Sequence, residues 1–114
     1  MKHDDFIAAL SHVFAQCILI AKQKSTDYSG TDDNFHSFKV AEMVSGVSVA
    51  DQLKYEIGKK LSRINRLSKN TNQVPGEGLV DSIDDAINYL AILRLWVAPV
   101  VIDEVPEILE PIQE

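Results

Sequence analysis

The chain has 114 residues, 46% of them hydrophobic and 25% charged, with only five Gly and four Pro. That is ordinary globular composition, long enough for one hydrophobic core without disulfides or a structural metal. The net charge of -6 is uneven: Asp103, Glu104, Glu107, Glu110 and Glu114 place -5 on the stretch after Pro99, which leaves -1 for the rest. A near-neutral body has no basic stripe of the kind phosphate-backbone binding needs, so direct binding of DNA or RNA is not expected. The start, Met-Lys-His-Asp-Asp, is acidic, and the longest apolar stretch, Ala86 to Pro99, is broken by Asn88 and Arg94. Neither a signal peptide nor a membrane span is expected, and the single cysteine, Cys17, fits a cytoplasmic protein with a small buried thiol.

In chain order, Phe6, Leu10, Val13, Phe14, Cys17 and Ile20 recur at three and four residues, so a first long helix is predicted from about His3 to Lys24. The turn formers of Ser25–Asn34 read as a loop. A short helix follows from about Phe35 to Val44, stopped by Ser45-Gly46. Ser48-Val-Ala-Asp51 has the spacing of an N-terminal cap. Leu53, Ile57, Leu61, Ile64 and Leu67 then keep helical period to about Asn70. Residues 70–76 read as a connection. From about Glu77 to Ala98 a third long helix carries Leu79, Ile83, Ala86, Ile87, Leu90 and Leu93 on one side, and Pro99 closes it. The expected fold is therefore all-α, a compact bundle of three long helices and one short one over residues 1–98, with an acidic tail over 99–114. Apolar surface around Trp96, Val97 and Val100 exceeds what such a monomer covers, and a homo-oligomer is expected.

Asp81, Asp85 and Asn88 fall within about 60° on the wheel of the third long helix. The stripe runs on into Ile92 and Trp96, flanked by Tyr89 and Leu95, which would set the acids at the edge of a packed interior. Carboxylates clustered there would repel one another unless a cation joined them, and a hard ion such as Mg²⁺ suits oxygen ligands. Solvated acids drawn to the positive end of the helix dipole would look the same. Glu77 is either such an acid or a fourth ligand, and Asp84, off the stripe, is taken as a solvent residue. On the second long helix Glu56, Lys60 and Arg63 flank the core line. Facing the acids, Glu56 would complete a metal site while Lys60 and Arg63 hold phosphate; alternatively, the two cations form salt bridges to Asp81 or Asp85. Lys59 and Arg66 are ordinary surface candidates. Asp27-Tyr28 and Asn34-Phe35 would either read a nucleobase or anchor their loop to the core. His3, His12 and His36 have no spacing for zinc or for a nucleophilic triad, and there is no Gly-rich phosphate loop.

The order Asp27-Tyr28, Asn34-Phe35, Lys60-x-x-Arg63 and Glu77-x-x-x-Asp81-x-x-x-Asp85-x-x-Asn88-Tyr89 resembles a family of small phage and prophage proteins associated with nucleotide modification. That family is similar to the MazG-like all-α nucleotide pyrophosphohydrolases. The likeness spans about Lys22 to Leu93, and Asp85 takes the place of the aspartate in the second acidic motif. The resemblance implies a MazG-like bundle and Mg²⁺-dependent cleavage of a nucleoside triphosphate to monophosphate and pyrophosphate. It also implies a metal site of Glu56, Asp81 and Asp85, with Glu77 as an optional fourth ligand and Glu56 and Asp85 catalytic. Lys60 and Arg63 would then bind phosphate, and Asp27, Tyr28, Asn34, Phe35, Asn88 and Tyr89 the nucleotide. Two positions depart from the pattern, since Lys59 and Ser82 stand where the MazG-like motifs have glutamate. These departures leave a second reading open, a non-catalytic nucleotide-binding or protein-interaction module whose acid stripe is neutralised by Lys60 and Arg63.

Overall fold

The computed structural model describes residues 1–28, 33–69 and 77–102, of which 26–28 and 77 by backbone alone. Among the described residues there are four helices and no strand: α1 (His3–Tyr28), α2 (His36–Ser45), α3 (Val49–Lys69) and α4 (Glu77–Val97). The expected element order holds, and α1 runs four residues further than its periodicity indicated, into the stretch read as a loop. The tail from residue 103 lies outside the described residues.

Local chemistry sets the turn from α2 to α3. Gly46 adopts φ 75°, a left-handed conformation that glycine reaches without a Cβ clash, and its N–H closes α2 on the Glu42 carbonyl. Two residues later the Asp51 N–H donates to Ser48 Oγ at 3.1 Å, which is the cap that the Ser-x-x-Asp spacing predicts. Glu42 accepts the Val49 N–H at 2.8 Å, and Gln52 Nε2 donates to the carbonyls of Phe38 and Val47. These bonds satisfy the free ends of both helices and hold α2 against α3.

The core is small. Among the described residues Ala15, Cys17, Val49, Leu53, Ile57 and Ala86 are its buried apolar members, with Leu53 wholly enclosed. α3 and α4 pack most extensively, and small residues line α4 at the contact. A Cβ built on Gly78 would meet Leu67 at 3.6 Å, while Ser82 and Ala86, one and two turns on, are buried. The buried face of α4 thus runs through Ser82 and Ala86; of the line expected from periodicity Ala86 is buried, Leu79, Ile87 and Leu93 are half-buried, and Ile83 and Leu90 stay exposed.

Two further expectations change. The second half of α4, apolar all round, is not enclosed on several sides by this chain, since Leu95 and Val97 remain exposed. The apolar stripe of α1 is only half used. Cys17 is buried as expected, but Phe6, Ile7, Leu10, Val13 and Phe14 are 37% to 52% exposed, so the compact part of the bundle ends where α1 passes α4. By length and composition residues 3–25 also suit a membrane-crossing helix, an 18-residue window within them reaching a mean hydropathy of 1.4, although no membrane span was expected. The second half of that segment is bound to α4 through side chains, described next.

Candidate functional site

Asp85 lies where three helices meet. Its carboxylate is 22% exposed and carries a cation on each oxygen: Lys24 of α1 donates to Oδ1 at 2.8 Å, and Lys60 of α3 lies 3.5 Å from Oδ2. Lys60 was expected in this role. Lys24, off the apolar stripe and six decades of sequence away, had no local signal; only the structure reveals it.

Beside this pair, Asn88 Nδ2 donates to the Cys17 carbonyl at 2.9 Å, a second link between α4 and α1. Asn88 therefore satisfies a backbone acceptor in the middle of α1. Asp84 needs correcting as well. It is half-buried, and it faces Cys17. Burial pushes the Cys17 thiol above its ordinary pKa, and the Asp84 charge and a hydrogen bond to Asp84 push it further, since each disfavours the thiolate.

Glu56 on α3 is partly buried and bridged by Lys59 at 3.0 Å. That hydrogen bond raises the Lys59 pKa, with the nearby Glu56 charge adding to it. The lysine that replaces an expected glutamate thus occupies the carboxylate one turn before it. Asp81 is exposed. The side chain of Glu77 lies outside the described residues, as do those of Asp27 and Tyr28. Among the described residues no three His, Cys, Asp or Glu side chains gather closely enough to hold a metal ion. Glu56 and Asp85 are each paired with lysine, and Asp81 is exposed. Ser82 of α4 is enclosed. It is 3% exposed, with Oγ donating to the Gly78 carbonyl at 2.9 Å, and a carboxylate there would enter the closest part of the α3–α4 contact.

Asn34 and Phe35 follow the anchoring alternative. Ser25 Oγ donates to Asn34 Oδ1 at 2.8 Å, and the Phe35 ring meets Trp96 with centroids 5.1 Å apart at 52°. Asp33, just before them, accepts the Phe35 N–H at 2.9 Å and the Lys39 ammonium at 2.8 Å. The Lys39 bond, then the backbone bond, hold its carboxyl below the usual range. Tyr89 is half-buried on α4, near enough to Lys59 to favour its charge. Arg63 is exposed and makes no ion pair among the described residues, so it does not join Lys60 in neutralising the acids.

The structure therefore brings Asp85, Lys60, Asn88 and Lys24 together in one polar junction, while Glu56 pairs within its own helix and Asp81 and Arg63 stand apart. Chemically, the junction joins three helices and sets two cations against the one charge of Asp85. No family model, no curated protein and no solved structure matches the chain.

Proposed function

We propose that this chain is a nucleotide-binding helical protein that does not hydrolyse its ligand. The observation that carries the reading is Asp85: the carboxylate most needed for a metal-dependent hydrolase has both oxygens engaged by Lys24 and Lys60. Paired carboxylates cost little to keep partly buried, whereas unpaired ones at that depth would be strained by desolvation and repulsion. The engagement of Glu56 by Lys59 and the enclosed hydroxyl of Ser82 support the same conclusion. The nucleotide half of the reading is supported by the MazG-like order of motifs and by an arginine, Arg63, that has no acid partner among the described residues. Titrating a panel of deoxynucleoside triphosphates by calorimetry, with pyrophosphate release assayed in parallel, tests it. Binding without release is expected. Release of pyrophosphate that depends on Mg²⁺ and is lost in Asp85→Ala would overturn it in favour of a MazG-like pyrophosphohydrolase.

That hydrolase is the second reading. It is favoured by one observation, the half-buried position of Asp85 opposite Lys60 of α3, next to the helix that carries Glu56. It requires Mg²⁺ to take Asp85 from its two lysines.

Self-association through the first half of α1 belongs to either reading. Phe6, Leu10, Val13 and Phe14 form an apolar strip that this chain leaves open, and a second copy would cover it by the same knobs-into-holes packing that suits their three-and-four spacing.

A further inference from the structure

The face of α3 turned away from Leu53 and Ile57 carries a different set of residues. Tyr55, Gly58, Lys59, Ser62, Arg63 and Arg66 recur every three or four positions and so lie along one side of the helix. They line a groove of about 430 Å³, a size common for small-ligand sites. Its charge runs against that of the protein. The chain has a net charge of -6, yet from Lys59 to Lys69 it has five cations and no acid. Lys59 is engaged by Glu56, but Arg63 and Arg66 have no ion pair among the described residues. Two adjacent guanidinium groups without a carboxylate repel each other and are suited to the oxygens of a phosphate, which they can grip in a planar fork.

The rest of the groove completes the match. Tyr55 is 67% exposed, with the Lys59 ammonium 5.1 Å from its ring centroid, so most of the ring is open to a planar partner. Ser11, Ser45, Ser68 and Ser82 each turn their hydroxyl onto the carbonyl four residues back, whereas among the described residues Ser62 makes no such bond and keeps its donor available. Between the ring and the arginines, Gly58 leaves the floor open, since a Cβ there would meet nothing within 4 Å. At 1.5 Å per residue, Arg63 and Arg66 lie about 12 and about 16 Å along the axis from Tyr55. A nucleoside carrying a single phosphate is short for that span, while a polyphosphate chain suits it.

We propose that this groove binds a nucleoside polyphosphate, with the base stacked on Tyr55, the phosphates held by Arg63 and Arg66, and Ser62 donating to the chain between. The assignment rests on the nucleotide-binding reading above and adds to it a location on α3 that does not involve Asp85. Calorimetric titration of the full chain with nucleoside triphosphates, comparing wild type with Arg63→Ala/Arg66→Ala, Gly58→Leu and Lys54→Ala, tests it. The double variant should lose at least about tenfold in affinity. Gly58→Leu, which fills the groove without touching the core, should lose as much with a thermal midpoint no lower than that of wild type, since leucine favours the helix over glycine, and Lys54→Ala should bind normally. Nucleotides that bind wild type and all three variants alike would overturn the groove and leave the nucleotide reading standing. A loss in Lys54→Ala equal to that in the arginine variant would reduce the effect to general charge and also overturn the groove. No binding by wild type would overturn both.

Discussion

Replacing Asp85 with Asn separates a structural junction from a catalytic ligand, because it removes the charge and keeps the shape. In the structure the carboxylate serves two lysines. Lys24 is 44% exposed and Lys60 26%, so both regain much of their hydration when the charge is lost, and neither pair has the value of a fully buried one. Exposed pairs contribute roughly 0.2–1 kcal/mol each. With the Lys24 pair discounted for its exposure, the two together come to about 1 kcal/mol. For a domain of this size that lowers the thermal midpoint by about 5 °C, and the difference should shrink in high salt as the pairs are screened. Scanning calorimetry of wild type and Asp85→Asn at low and high salt measures it. A cycle with Lys24→Met and Lys60→Met divides the loss between the two partners. Had Asp85 been a ligand held against its neighbours for a metal, removing its charge would relieve repulsion. A midpoint unchanged or raised in Asp85→Asn would refute the junction.

Leu53, fully enclosed between helices, should cost about 2–5 kcal/mol when cut to Ala, read as a shift in urea midpoint at constant slope. Gly46→Ala should cost about 1 kcal/mol, because its φ of 75° is strained for any residue with a Cβ; the same urea titration checks it. Cys17 should react slowly with iodoacetamide in the folded protein and quickly once unfolded. Since its thiol pKa is raised on folding, the fold favours the protonated form. That stability is complete below the unfolded value of about 8.5 and is lost as pH climbs through the folded one. Urea midpoints should therefore fall more steeply between pH 8 and pH 10 in wild type than in Cys17→Ala.

Most of the helical layout was legible because it rests on local rules. Turn formers marked Gly46, the Ser48–Asp51 spacing marked a cap that forms, and periodicity gave α3 and α4 to within a residue or so. What periodicity could not supply is the identity of the surface opposite each stripe. The strip from Phe6 to Phe14 has the same spacing as the stretch around Cys17, yet only the latter meets α4. Long-range polar contacts were legible only where two motifs already suggested each other. Lys60 to Asp85 was anticipated on that ground, while Lys24 to Asp85 and Asn88 to the Cys17 carbonyl join residues with no shared pattern. Ser82 was read as a departure because it stands where the MazG-like pattern has glutamate; its burial follows from the close approach of α3, which no single helix reveals.

The row of small residues on α4 bears on the order in which the chain assembles. Gly78, Ser82 and Ala86 let α4 settle against a helix that is its neighbour in sequence, so the α3–α4 hairpin closes a short loop and needs few long side chains to find their places. α1 must come from much further along the chain and is fastened by the buried Ala15 and Cys17 together with the polar links at Asp85 and Asn88. The hairpin is then the unit that forms early and opens last, and α1 the one that docks late. Amide exchange would show this as slow protons along Leu53 to Ile64 and faster ones at both ends of α1.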